Sequence, residues 1–151
     1  MSEQPGISIT RVFEAPRERV WQEWTEPERF ADWFGGTQSD VPLWSVSMDV
    51  RPGGSWRLTM FAEPGRREIQ WEGEYREVAP PERLVFTVTD EPGEDARELV
   101  IVVLTDLGDG RTRLVATSLV DSFEGRDAFV ASGMEVGVRE GYERLDELLA
   151  R

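Results

Sequence analysis

Arg11, Tyr75 and the 30 acidic side chains are the groups in this sequence that could move a proton or hold a polar substrate, because the chain has neither histidine nor cysteine. Without imidazole, the usual general base near neutral pH and the commonest transition-metal ligand are missing, which excludes serine-histidine triads and typical zinc sites. Without thiols there is no disulfide framework and no thiolate catalysis. Proton transfer would rest on a carboxylate, a tyrosine, an arginine or water. Among so many acidic residues chance pairs are common, and spacing singles out none of them. No catalytic residue is therefore assigned, and a binding role is expected rather than an enzymatic one. Asp106, Asp109 and Gly110 resemble a calcium loop only superficially, since they lack the longer ligand series between two helices. They read as turn residues, and neither a metal nor a cofactor is expected. Arg11 shares strand parity with Ile7, Ile9 and Phe13. It could anchor a ligand carboxylate or hydroxyl from inside, or lie at a strand end paired with an acidic side chain.

The second signal is bulk. Trp44, Met48, Trp56, Met60, Trp71, Tyr75 and Phe86 all take the inward parity of alternating segments. Cores usually prefer Leu, Ile and Val, whereas apolar pockets are often lined by aromatic rings, with methionine adapting to varied contents. The rings either fill the interior or line a pocket, and for the group a cavity is expected. On the last helix Met134, Val138, Gly141, Leu145 and Leu148 form an apolar stripe facing the same interior. Gly133, Gly137 and Gly141 recur every four residues there, at about 1 kcal/mol each relative to alanine. Either close packing or room for a ligand offsets that cost. Trp33 and Phe34, in the aromatic block from Val20 to Gly35, fall nearest the mouth of such a cavity.

Local patterns place these residues. Ile7 to Phe13 reads as a strand that stops at Ala15-Pro16, and Val20, Trp21 and Trp24 mark a short helix from Pro16. Thr25-x-x-Glu28 reads as a capping box opening a second helix through Phe30, Trp33 and Phe34 to Gly35-Gly36. From Trp44 to Val50 the period is two, predicting a half-buried strand that turns at Pro52-Gly53-Gly54. Trp56–Met60, Ile69–Tyr75, Leu84–Thr89, Leu99–Thr105 and Thr112–Val120 continue as antiparallel strands, with a hairpin at Gly108-Asp109-Gly110. Ser132-x-x-Glu135 reads as a capping box for a long amphipathic closing helix. The order gives an α+β class without parallel crossovers, and 1–151 reads as one domain.

A formal charge of −13 repels phosphate backbones and anionic lipid, so nucleic acid is not an expected partner. No apolar run approaches the length of a membrane span, and the first residues do not form a signal peptide, so the expected location is the cytoplasm.

Taken together, Ile9–Pro16, Val20-Trp21-x-x-Trp24-Thr25-Glu26-Pro27, Trp33-Phe34-Gly35, Asp49–Trp56 and Gly73–Thr87 resemble the activator of heat-shock protein 90 ATPase homologue family. That family belongs to the START-related, birch-pollen-allergen-like superfamily, and the segment from Gly133 to Leu149 resembles its closing helix. The resemblance implies a helix-grip fold, in which a curved antiparallel sheet wraps a long C-terminal helix and leaves a cavity. It implies a small cytosolic protein enclosing a hydrophobic or amphipathic molecule, a cyclase- or dehydratase-like enzyme, or a chaperone-interacting module, and the fold does not choose among them. Val138 and Arg139 stand where similar proteins often carry a bulky aromatic. A homodimer is compatible with the sequence, which does not decide it.

Overall fold

Alternation of buried and exposed side chains builds most of the sheet. In β1 (Gly6–Phe13) Ile9 and Phe13 are buried while Ser8, Thr10 and Val12 face out. The computed structural model describes residues 6–34, 39–63, 65–89, 98–120 and 134–150, of which 134–137 are described by their backbone alone. Pro16 then caps α1 (Arg17–Thr25). Glu26 breaks the helix in an extended conformation (φ −102°, ψ 125°), as the residue before a proline is driven to do, and α2 (Pro27–Trp33) starts at once. The capping box expected at Thr25 does not form. Thr25 still belongs to α1, where its Oγ1 donates to the Trp21 carbonyl at 2.9 Å and so cannot reach the next helix.

After two-residue β2 (Ser39–Asp40), a 3-10 turn at Leu43–Ser45 replaces the strand expected from Trp44, and β3 covers only Ser47–Met48. Ser45 causes the change. Its Oγ donates to the Pro42 carbonyl at 2.7 Å and accepts the Thr59 N–H at 3.1 Å, so a side chain stands where a strand backbone would pair. The remaining strands are β4 (Ser55–Ala62), β5 (Arg67–Ala79), β6 (Arg83–Val88), β7 (Glu98–Gly108) and β8 (Arg111–Val120). All pairs are antiparallel. The curved sheet runs β1-β8-β7-β6-β5-β4-β2, with β3 also on β4.

The closing helix α3 (Met134–Leu149) buries Tyr142, Leu145, Leu148 and Leu149 and packs against α1, α2 and β1. The capping box expected at Ser132 and the glycine at 133 lie outside the described residues. Phe13, Val20, Leu58, Leu84, Leu104, Leu114 and Leu145 lose essentially all solvent contact and form the floor on which the aromatic residues stand.

Candidate functional site

Three strands supply the base of the site. Tyr75 is held by its backbone, which exchanges hydrogen bonds with the Pro52-Gly53-Gly54 turn: Gly53 N–H donates to the Tyr75 carbonyl and Tyr75 N–H to the Gly54 carbonyl, both at 2.8 Å. Gly54 is needed to close the turn itself, because a Cβ there would lie 2.0 Å from the Asp49 carbonyl oxygen. On β4 the Trp56 indole crosses over Gly73 of β5 and donates its Nε1–H to the Thr87 carbonyl of β6 at 3.1 Å. Thr87 in turn accepts the Glu74 N–H on its hydroxyl at 2.9 Å, next to the register shift between Tyr75 and Glu77. Phe86 pairs with Tyr75 across β5 and β6, with ring centroids 6.3 Å apart.

The helix pair closes this base from above. Trp24 meets Trp33 edge-on at 4.7 Å, and also contacts Phe30, Phe86 and Tyr142 at 6.2, 6.4 and 6.1 Å. Phe30 lies 6.5 Å from Trp56, which packs edge-on against Phe86 at 5.8 Å. Where helices and sheet meet, a cavity of about 10 Å³ remains. Trp24 and Phe30 line it from the helices, and Met48, Trp56, Tyr75, Leu84 and Phe86 from the sheet. That space suits about one water molecule, so the interior expected to hold a ligand-sized void is nearly filled by its own rings.

The expected site residues separate into groups. Met48, Trp56, Tyr75 and Phe86 converge on the cavity. Met60 and Trp71 are buried in the same core without lining it. Trp33 is buried and donates its Nε1–H to the Glu23 carbonyl at 2.9 Å, while half-buried Phe34 sits 4.7 Å from Phe30. Val138 packs at the edge of the core, and the Met134 side chain lies outside the described residues. Trp44 lies elsewhere: the 3-10 turn swings it outward, 79% exposed, beside Leu43 at 51%. Arg11 does not reach the cavity; it sits at the seam between β1 and α3, 3.6 Å from Asp146 and over the Phe13 ring. Trp24, Phe30 and Leu84 also line the cavity and Tyr142 packs against Trp24, although the sequence pattern assigns Trp24 and Phe30 only to helix faces and Leu84 only to a strand. Tyr142, four residues after Val138 and three before Leu145, carries the signal that could have found it.

The titrating groups are arranged for neutrality inside and charge at the rim. Burial, with the nearby Asp49 charge second, holds the Tyr75 phenol protonated well above its usual range. Burial and then Glu98 do the same for Tyr142. Behind α1 and α2, Glu23 is almost completely buried at the base of an open cleft of about 470 Å³ bounded by Arg19, Arg29, Glu26, Asp32 and Leu148. Its carboxylate lies 3.3 Å from Arg29 and 3.9 Å from Arg19. Desolvation nevertheless outweighs both arginines and raises its pKa. Sequence spacing does not reveal Glu23, since its burial depends on the bend at Glu26 that folds Arg29 back over it. Among the described residues no acidic cluster is placed to hold a metal ion. Asp106 accepts the Gly108 N–H at 2.8 Å and closes the β7–β8 turn.

The family model described as Activator of Hsp90 ATPase homolog 1-like protein matches residues 14–150. Among solved structures, a protein from Nitrosomonas europaea superposes with a TM-score of 0.87 at 24% identity, covering 99% of this chain and 97% of its own. A protein from Rhodobacter sphaeroides gives 0.83 at 26% identity over 96% and 91%. The AHSA1 protein from Silicibacter pomeroyi gives 0.78 at 19% identity over 97% and 98%, a likeness of fold alone. No curated protein matches the sequence.

Proposed function

The chain belongs to the activator of Hsp90 ATPase homolog 1-like family, and from that premise we propose that it encloses a hydrophobic or amphipathic small molecule between its sheet and its helices. One observation carries the reading: the junction of α1 and α2 with the sheet is lined by five rings, one leucine and one thioether, and a small void is left at its centre. Ligand sites generally occupy about 300–1,000 Å³, so a guest enters this one by displacing lining side chains. Met48 is the lining residue best suited to yield, being unbranched, half-buried and carried on a two-residue strand. Binding suits the site better than proton transfer, since the Tyr75 phenol is held neutral and Arg11 is engaged with Asp146. Among the described residues no helix is long and apolar enough to cross a membrane. We read the chain as one cytosolic domain over 1–151. A thermal-shift series with fatty acids, sterols, flavonoids and polyketides tests the proposal: a concentration-dependent rise in Tm supports it, and a flat response across all four classes sinks it.

A second reading rests on the exposed Leu43–Trp44 pair, an apolar projection on an otherwise charged chain. In this version the pair docks on a chaperone of the kind named in the family description. Retention of the wild-type chain by that chaperone, lost in Trp44→Ala, supports it; equal retention of both removes its basis.

A further inference from the structure

The buried tryptophans differ in what their indole N–H groups meet. Trp33 donates to the Glu23 carbonyl and Trp56 to the Thr87 carbonyl, whereas Nε1 of Trp24 and Nε1 of Trp71 are both buried without a hydrogen-bond partner, and of these two only Trp24 lines the cavity. Trp24 is 5% exposed and is one of the residues lining the cavity. A buried donor left unpaired is costly, and native interiors leave few of them without a reason. The other lining side chains offer little to answer it. They are hydrocarbon rings, a leucine, a thioether that accepts only weakly, an indole already engaged and the Tyr75 phenol, itself a donor as well as an acceptor. The lining contains no carboxylate, amide or cation. It therefore holds one unpaired donor, no acceptor stronger than the Tyr75 hydroxyl, and no charge.

We propose that the cavity selects a neutral ring compound bearing a hydrogen-bond acceptor, with an aryl ketone as its simplest form, whose oxygen receives the Trp24 Nε1–H. The inference rests on the enclosed-ligand reading above and specifies the chemistry of its guest. The rings of Trp24, Phe30, Trp56 and Phe86 offer edges and faces to a flat molecule. A carboxylate on the same ring system is disfavoured, because no lining residue carries a compensating positive charge.

Three probes with one ring skeleton test this: 1-indanone, indane and indane-1-carboxylate. Calorimetric titration of the full chain is expected to show indanone binding about tenfold tighter than indane, the scale of one buried hydrogen bond, with the carboxylate weakest. In Trp24→Phe the ring remains and the donor is gone. Its preference for indanone should vanish while its affinity for indane stays. Equal binding of indanone and indane by the wild type, or a preference that survives in the variant, overturns the acceptor inference and leaves the enclosed-ligand reading standing. Failure of every probe to bind overturns both. Should Trp24→Phe not fold, the wild-type indole N–H resonances carry the test. One resonance moved by indanone and not by indane supports the proposal, and identical shifts with the two probes refute it.

Discussion

Trp56 and Thr87 are joined across an intervening strand, the indole Nε1–H of one donating to the carbonyl of the other at 3.1 Å over the bare backbone of Gly73. A Cβ at Gly73 would fall 1.7 Å from the Thr87 carbonyl oxygen and 2.5 Å from Trp56 Nε1. The nearer obstacle is backbone and cannot rotate aside. Gly73→Ala should therefore lower stability by about 3 kcal/mol or more, from overpacking together with the lost hydrogen bond. Urea denaturation measures it. Because the carbonyl clash does not depend on the indole, adding Trp56→Phe should not restore stability. Recovery in the double variant would show that the indole, and not the strand backbone, makes Gly73 necessary.

Thr112 ties the first helix to the sheet. It is fully buried on β8, and its Oγ1 donates to the Ala15 carbonyl at 2.7 Å, just before α1 begins. Thr112→Val keeps the shape, removes the donor and leaves that carbonyl short of a partner. The expected loss is about 1–2 kcal/mol, with a Tm lower by roughly 2–8 °C for a domain of this size. An unchanged Tm would mean that the Ala15 carbonyl finds another donor.

For Glu23 the direction of the pH effect follows from burial. Its folded-state pKa is raised above 4.5, with desolvation as the largest cause, so the native state binds this proton more tightly than the unfolded chain does. Stability contributed by this group therefore falls as pH rises from 4.5 through the folded pKa, and the full cost is present above it. Glu23→Gln keeps an acceptor for Arg29 and removes the buried charge. It should be more stable than the wild type at pH 7, with the gap closing as the pH approaches 4. Paired denaturation curves at the two pH values cancel the other carboxylates, and a Gln variant less stable at pH 7 would show that the ion pairs to Arg29 and Arg19 prevail.

Residue spacing made β1 and β4–β8 legible because large apolar residues recur at every second position, as at Trp56, Leu58 and Met60, even where burial itself does not alternate, as along Leu84–Val88 of β6. The helix pair was legible from Val20, Trp24, Phe30 and Trp33, all of them buried. Side-chain capture of backbone groups was not. Ser45 supplies a hydroxyl where a strand would supply its backbone, which turns an alternating stretch into a 3-10 turn, and Thr25 bonds back into its own helix. Of the candidate site, the sheet residues were readable from parity. The Trp24 side was not, because a helical tryptophan gives the same periodicity whether it fills a core or borders a void. How nearly the rings close on one another is a matter of tenths of an ångström in packing, which no spacing encodes.

Trp44 provides a direct check on the 3-10 turn. It is 79% exposed, whereas Trp24, Trp33, Trp56 and Trp71 are buried and Trp21 is half-buried. Acrylamide reaches indoles from solvent, so Trp44→Phe should remove most of the readily quenched fluorescence and the red edge of the emission. The stability change should stay within about 0.5 kcal/mol, since the side chain touches little that folding buries. The inward-facing strand expected from Trp44 to Val50 implies the opposite pair of results. A buried indole at 44 would leave quenching unchanged on substitution and lower stability by about 1 kcal/mol or more. The two observables therefore distinguish an exposed turn from a buried strand without reference to any ligand.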